Sequence, residues 1–157
     1  MKHLNKEAGQ SIIEVLFATL VVALVLVAVL STIITSFRNA RISLEQSRST
    51  KYASEVNEWL RRHRDAIGWQ EFAEVVGPVG AAGTYCLPIV PNSLDSLAEY
   101  ATPECDVNQS IEGTDFYREL NLNRISEEEV ESVVTVYRPG RSESVPTVIT
   151  NRFSKWQ

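Results

Sequence analysis

AGQSIIEVLFATLVVALVLVAVL, residues Ala8 to Leu30, decides the architecture of this chain. From Val15 to Phe37 no side chain is charged, and most are Val, Leu, Ile or Ala. A helix of about 23 residues extends roughly 35 Å, enough to cross the hydrocarbon core of a bilayer. Glu14 stands at the start of this run. A carboxylate in hydrocarbon costs several kcal/mol, so its presence calls for a use.

Outward from that run, Gly and Pro are absent from Gln10 to Ile67, and nothing obliges a helix to stop. In FRNARISLEQSRSTKYASEVNEWLRRHRD an apolar stripe continues: Phe37, Ala40, Leu44, Tyr52, Ala53, Val56, Trp59, Leu60 and, beyond it, Ile67 recur mostly at three- and four-residue steps. The pattern predicts one helix from about Ser11 to about Ala66, roughly 80 Å long, with its Val56–Trp59–Leu60 face laid against a sheet. Thr32, Thr35 and Ser36 are placed to bend it slightly. On the other side, MKHLNKEAG is short and carries Lys2 and Lys6. A secretory signal would be followed by a small-residue cleavage site, but the helical pattern runs on through STIITSFRNARIS. The segment therefore reads as an uncleaved anchor. Lys2 and Lys6 favour an amino end inside, and Arg38 and Arg41 weaken that charge vote.

The remainder fits one modest domain. Net charge is −5, so bulk attraction to nucleic acid is not expected. Cys86 and Cys105 both follow the apolar run. An even count in a small exported domain favours one disulfide, whereas in a cytosolic protein two such cysteines are more often free thiols. From Gly68 to about Asp115 the chain reads as irregular, punctuated by Gly68, Gly77, Pro78, Gly80, Gly83, Pro88, Pro91 and Pro103, with short helical turns at GWQEF and DSLAEY. Three strands follow: FYRELNLNRI, in which Phe116, Arg118, Leu120 and Leu122 share a face; ESVVTVYR, rich in β-branched residues; and SVPTVITNRFSKW. ISEEEVE links the first two, and Pro139-Gly140 suits the centre of a type II turn. Pro146 has no N–H to donate, so the last strand is expected at an edge or to begin after it.

A search for reactive constellations yields no assignment, and the expected cofactor and metal sets are both empty. Glu127, Glu128 and Glu129 read as a solvated link. Asp106, Asn108 and Ser110 match early positions of an EF-hand loop, but Ile111 stands where Gly is needed and Tyr117 where Glu is needed. His3 and His63 form no metal pair. Gly80-Ala81-Ala82-Gly83 lacks the Lys-Ser/Thr of a P-loop, and Asn108-Gln109-Ser110 is a glycosylation triplet of a kind common by chance. His63-Arg64-Asp65 echoes a kinase catalytic loop without its Asn. Arg61, Arg62 and Arg64 sit favourably at a negative helix end.

Gly9-Gln10-Ser11-Ile12-Ile13-Glu14, followed by VLFATLVVAL, resembles the start of the type IV filament family, the type IV pilins and the pseudopilins of type II secretion. Their precursors carry a short basic leader ending in Gly, a motif such as GFTLIE, and an apolar helix. Here Gln10 replaces the common Phe, Ser11 replaces Thr, and Ile12-Ile13 replaces Thr-Leu. The resemblance implies an α+β, pilin-like fold: a long N-terminal α-helical spine packed on a small antiparallel β-sheet head. It implies a leader (1–9), a membrane or filament-core half-helix (10–37), an amphipathic half (38–67), a connecting region (68–115) and a sheet (116–157). A prepilin peptidase would cut between Gly9 and Gln10, and Glu14, at the fifth mature position, would pair with the N-terminal amine of a neighbouring subunit. Further implied partners are other pilins or pseudopilins, the inner-membrane assembly platform, and membrane lipid before assembly. The chain would cross the cytoplasmic membrane once, amino end in and head outside, before entering an extracellular or periplasmic filament. Some pseudopilins bind calcium in C-terminal loops, which here would involve Glu104 or Asp106. The order GTYC…C…FYRELNL…VVTVYR…TVITNRFSKW is also similar to minor pilins of the pilus modification type. The expected function is a non-enzymatic minor pilin or pilin-like subunit. The alternatives are a pseudopilin of a secretion or DNA-uptake system, or a single-pass binding protein that does not polymerise.

Overall fold

A computed structural model describes residues 8–106, 108–140 and 145–155. Most of the expected leader, with Lys2 and Lys6, and the terminal Trp156 lie outside the described residues. Helix α1 runs from Ala8 to Ile67 without a break. The chain divides into two units, Met1–Leu44 and Glu45–Gln157, and α1 contributes to both. In the first unit the helix is exposed on every side from Ile12 to Leu44.

The second unit holds the rest of α1, helix α2 (Trp69–Val76), strand β1 (Ala82–Cys86), a 3-10 turn (Asp95–Tyr100), and strands β2 (Tyr117–Arg124), β3 (Glu129–Tyr137) and β4 (Thr147–Ser154). The strands form one antiparallel sheet in the order β1-β2-β3-β4. This is an α+β arrangement in which the long N-terminal helix packs on a four-stranded sheet.

The packing follows from two periodicities. On α1, Ala53, Val56, Trp59 and Leu60 recur at helical spacing, and all are buried. On β3, Val130, Ser132, Val134 and Val136 alternate inward while Glu129, Glu131, Val133 and Thr135 stay partly exposed. The register sets Leu120 opposite Val134 and Val130 opposite Phe153, so the inward faces of three strands meet the helix stripe. Phe72 and Val76 of α2 complete the same core. One polar pair sits inside it: the Ser132 hydroxyl donates to Asn57 Oδ1 at 3.1 Å, which satisfies two buried groups at once.

Two elements differ from the sequence expectation. The sheet has four strands, because AGTYC pairs along β2 from Ala82↔Asn123 to Cys86↔Glu119. The segment is too short and too glycine-marked to announce itself. Its Gly83 is covered by the Tyr85 ring, and a Cβ there would lie 2.5 Å from the Tyr85 hydroxyl oxygen. The second difference is α2, where only a turn was expected. It ends at Gly77, whose φ of 108° suits glycine and whose N–H bonds back to Ala73 O and Glu74 O. Arg124 donates to Ala73 O (3.2 Å) and Gly77 O (2.8 Å), a cation on the negative end of the helix.

The other end of the head is tied by a disulfide and a buried arginine. Cys86 and Cys105 are bonded, with Cα atoms 5.4 Å apart and a sequence separation of 19. The outer side of β1 is capped by the Thr102 N–H donating to Thr84 O at 3.0 Å. Beside it Arg118, 2% exposed, donates to Leu87 O (3.2 Å) and Tyr52 O (3.2 Å) and meets Glu55 (3.3 Å). Burial lowers its pKa, and the Glu55 carboxylate acts in the opposite direction. One side chain thus joins β2, the disulfide loop and α1. At the β2–β3 link the Ile125 and Ser126 N–H groups both donate to Glu129 O (3.0 and 3.2 Å). Strand β4 begins at Thr147, directly after Pro146, and lies at the open edge of the sheet.

Two outcomes follow for urea unfolding of the detergent-solubilised chain. Leu60→Ala, which empties a fully buried site, should lower stability by about 3 kcal/mol. Cys86→Ala with Cys105→Ala should lower it by about 3 kcal/mol, the loop-closure term for a ring of this size.

Candidate functional site

The first unit offers a site of an unusual kind, a helix exposed from Ile12 to Leu44. Ile, Val, Leu and Phe side chains point outward all around α1 from Ile12 to Leu44; Leu16, Leu24 and Val27 are 63–65% exposed. A helix that is apolar on every face is covered by lipid or by other helices. This one has the length and composition to cross a membrane.

Hydrocarbon offers no hydrogen bonds, so each polar group in such a helix must be satisfied internally or by a partner. Between Ile12 and Phe37 there are six polar side chains: Glu14, Thr19, Ser31, Thr32, Thr35 and Ser36. The five hydroxyls donate to carbonyls one turn back: Thr19 to Leu16 O (2.9 Å), Ser31 to Ala28 O (2.9 Å), Thr32 to Val29 O (2.7 Å), Thr35 to Ser31 O (2.9 Å) and Ser36 to Thr32 O (2.8 Å). Glu14 is exposed and has no hydrogen-bond or ion-pair partner among the described residues. It is the one side chain of the stretch whose needs the helix does not meet. Gly9 and Gln10 lie one turn before it, within the same helix.

In the head, the Trp59 Nε1 and Arg124 Nε groups are buried without a hydrogen-bond partner among the described residues, and neither is a charged carboxylate on an exposed apolar helix. Among the described residues no group of three or more His, Cys, Asp or Glu side chains is arranged to hold a metal. The His63 ring nitrogens face the carbonyl oxygens of Trp59 (3.0 Å) and Asn92 (3.3 Å). Arg64 pairs with Asp65 and lies over the Phe153 ring, 5.4 Å from its centroid, while Arg61 reaches Glu58 at 3.5 Å. Of these cations Arg64 stands in the last turn of α1. Glu127 and Glu128 are exposed on the β2–β3 link.

Sequence reasoning brought Glu14 forward and paired Cys86 with Cys105. It missed Arg118, whose place in an alternating strand marked the inward face without revealing partners on α1 and the loop. It also missed Arg138, which pairs with Glu45 (2.9 Å) and with Asp115 and lies 5.2 Å from the centroid of the Phe116 ring. Compared with protein-family models, curated protein sequences and solved structures, the chain finds no match.

Proposed function

We propose that this chain is a minor pilin or pilin-like subunit of a type IV filament, processed by a prepilin peptidase between Gly9 and Gln10 and assembled through α1. The observation that carries the proposal is Glu14, without a partner among the described residues, beside a stretch to Phe37 that is otherwise apolar and internally satisfied. Cleavage after Gly9 creates an ammonium at Gln10, four residues before that carboxylate. Each charge alone is costly in hydrocarbon. Paired between neighbouring subunits, they offset much of each other's desolvation. The pairing also fixes one axial register, since only one offset brings carboxylate and amine together. The remaining surface of α1 then exchanges lipid for the apolar helices of other subunits, and van der Waals packing favours the close fit.

The order of operations follows. The chain enters the cytoplasmic membrane with its head outside, the peptidase removes the leader on the inner face, and an assembly platform passes the subunit to the filament base. The disulfide supports this reading, since such bonds persist in oxidising compartments. The reading gives the protein no catalytic role. A pseudopilin of a secretion or DNA-uptake system uses the same machinery and differs in what the filament moves.

The test is the mass of the protein extracted from membranes of its own host, with and without the prepilin peptidase. The expected mature chain starts at Gln10 only when the peptidase is present. An intact Met1 in both samples would refute the filament reading and leave a signal-anchored binding protein.

A further inference from the structure

The loop closed by the disulfide carries a group that the assembly reading does not use. The chain has eight asparagines, and only Asn108 is followed two positions later by Ser or Thr, in Asp106-Val107-Asn108-Gln109-Ser110. Several others are engaged in the fold: Asn57 accepts from Ser132, Asn121 donates to Glu119 and accepts from Thr84, and Asn151 accepts from the Arg152 N–H. Asn108 is exposed in a turn, and its carboxamide makes no hydrogen bond among the described residues. The turn is held on either side of it, since Gln109 N donates to Asp106 O at 2.9 Å and Asp106 N donates to Gln109 Oε1 at 2.8 Å. Cys105 ties the same turn to β1.

We propose that Asn108 is the acceptor of an N-linked glycan, added on the outer face of the membrane that α1 spans. An asparagine amide is a poor nucleophile because its lone pair is delocalised. A transferase must bind it tightly enough to twist the amide, and it recognises the acceptor through neighbouring side chains. The Ser110 hydroxyl at the second position after Asn108 supplies one such contact. The co-reactant is a saccharide linked through phosphate to a polyprenyl lipid. The Asn108 nitrogen forms a bond to the anomeric carbon as the bond from that carbon to the phosphate oxygen breaks. The lipid phosphate leaves with the electron pair, and the amide proton passes to a base of the transferase. No electron is gained or lost. A glycan here would cover the disulfide loop and leave α1 untouched.

The proposal rests on the exported head of the filament reading, and one peptide map separates the two. Trypsin applied to the full chain from its own host releases Asp65–Arg118, which holds both cysteines and Asn108, because no Lys or Arg lies between Asp65 and Arg118. It also releases Gln10–Arg38 from a processed chain and Glu7–Arg38, cut after Lys6, from an unprocessed one. Asp65–Arg118 should carry added saccharide mass in the wild-type chain and none in Asn108→Gln or Ser110→Ala. Retention of the two-dalton disulfide difference in each variant shows that the head still folds. A bare wild-type peptide, or saccharide that persists in Asn108→Gln, would overturn the proposal, and a start at Gln10 in the same sample would leave the filament reading standing. Saccharide on Asn108 in a chain that keeps Met1 would uphold the proposal and refute the filament reading.

Discussion

Backbone hydrogen bonding that continues from Ala8 to Ile67 is the constraint on which the other features depend. A single helix meets two surroundings, and its side chains change to suit each while its backbone does not. From Val15 to Phe37 it presents apolar side chains in all directions, and the few hydroxyls turn back onto their own carbonyls. From Glu45 onward it presents one buried stripe to a sheet and a charged face to solvent. Absence of Gly and Pro over this length makes the continuity possible.

That dependence explains the form of the head. A four-stranded antiparallel sheet with one inward face needs a partner to cover it, and the second half of α1 supplies that cover. Arg118, Asn57 with Ser132, and Arg138 with Glu45 add directional contacts between helix and sheet, which fix how the two surfaces register. Hydrophobic burial alone tolerates sliding along a helix stripe. A buried guanidinium held by Tyr52 O, Leu87 O and Glu55 does not, because any shift would leave a charge without partners. The disulfide serves the opposite edge, where β1 is short and its outer side is covered by loop.

Much of this was legible in the sequence, for definable reasons. The length of α1 follows from composition, since no breaker interrupts it. Strand β2 follows from partial period-two alternation, β3 from its run of β-branched residues, and the start of β4 from Pro146. Strand β1 and helix α2 were less legible. AGTYC holds only five residues and gains its identity from pairing with a strand some 35 positions later, a partner no local pattern names. WQEFAEVV has helical spacing at Phe72, Ala73 and Val76, but two glycines bound it so closely that it reads as a turn. Glu14 stood out because its chemistry conflicts with its surroundings, and local conflict of that kind is what one sequence displays best. The ties made by Arg118 and Arg138 stayed hidden because they join residues 23 to 93 positions apart, and charge alone does not say which partners meet.

The central claim is that Glu14 serves assembly and is not needed for the fold or for membrane insertion. The most direct measurement compares sheared filaments and membranes from cells carrying wild type, Glu14→Ala or Thr19→Val. The account predicts that Glu14→Ala is held in the membrane at the wild-type level and is depleted from filaments, while Thr19→Val, which removes an internally satisfied hydroxyl, enters filaments as wild type does. Glu14→Ala found in filaments at the wild-type level would contradict it.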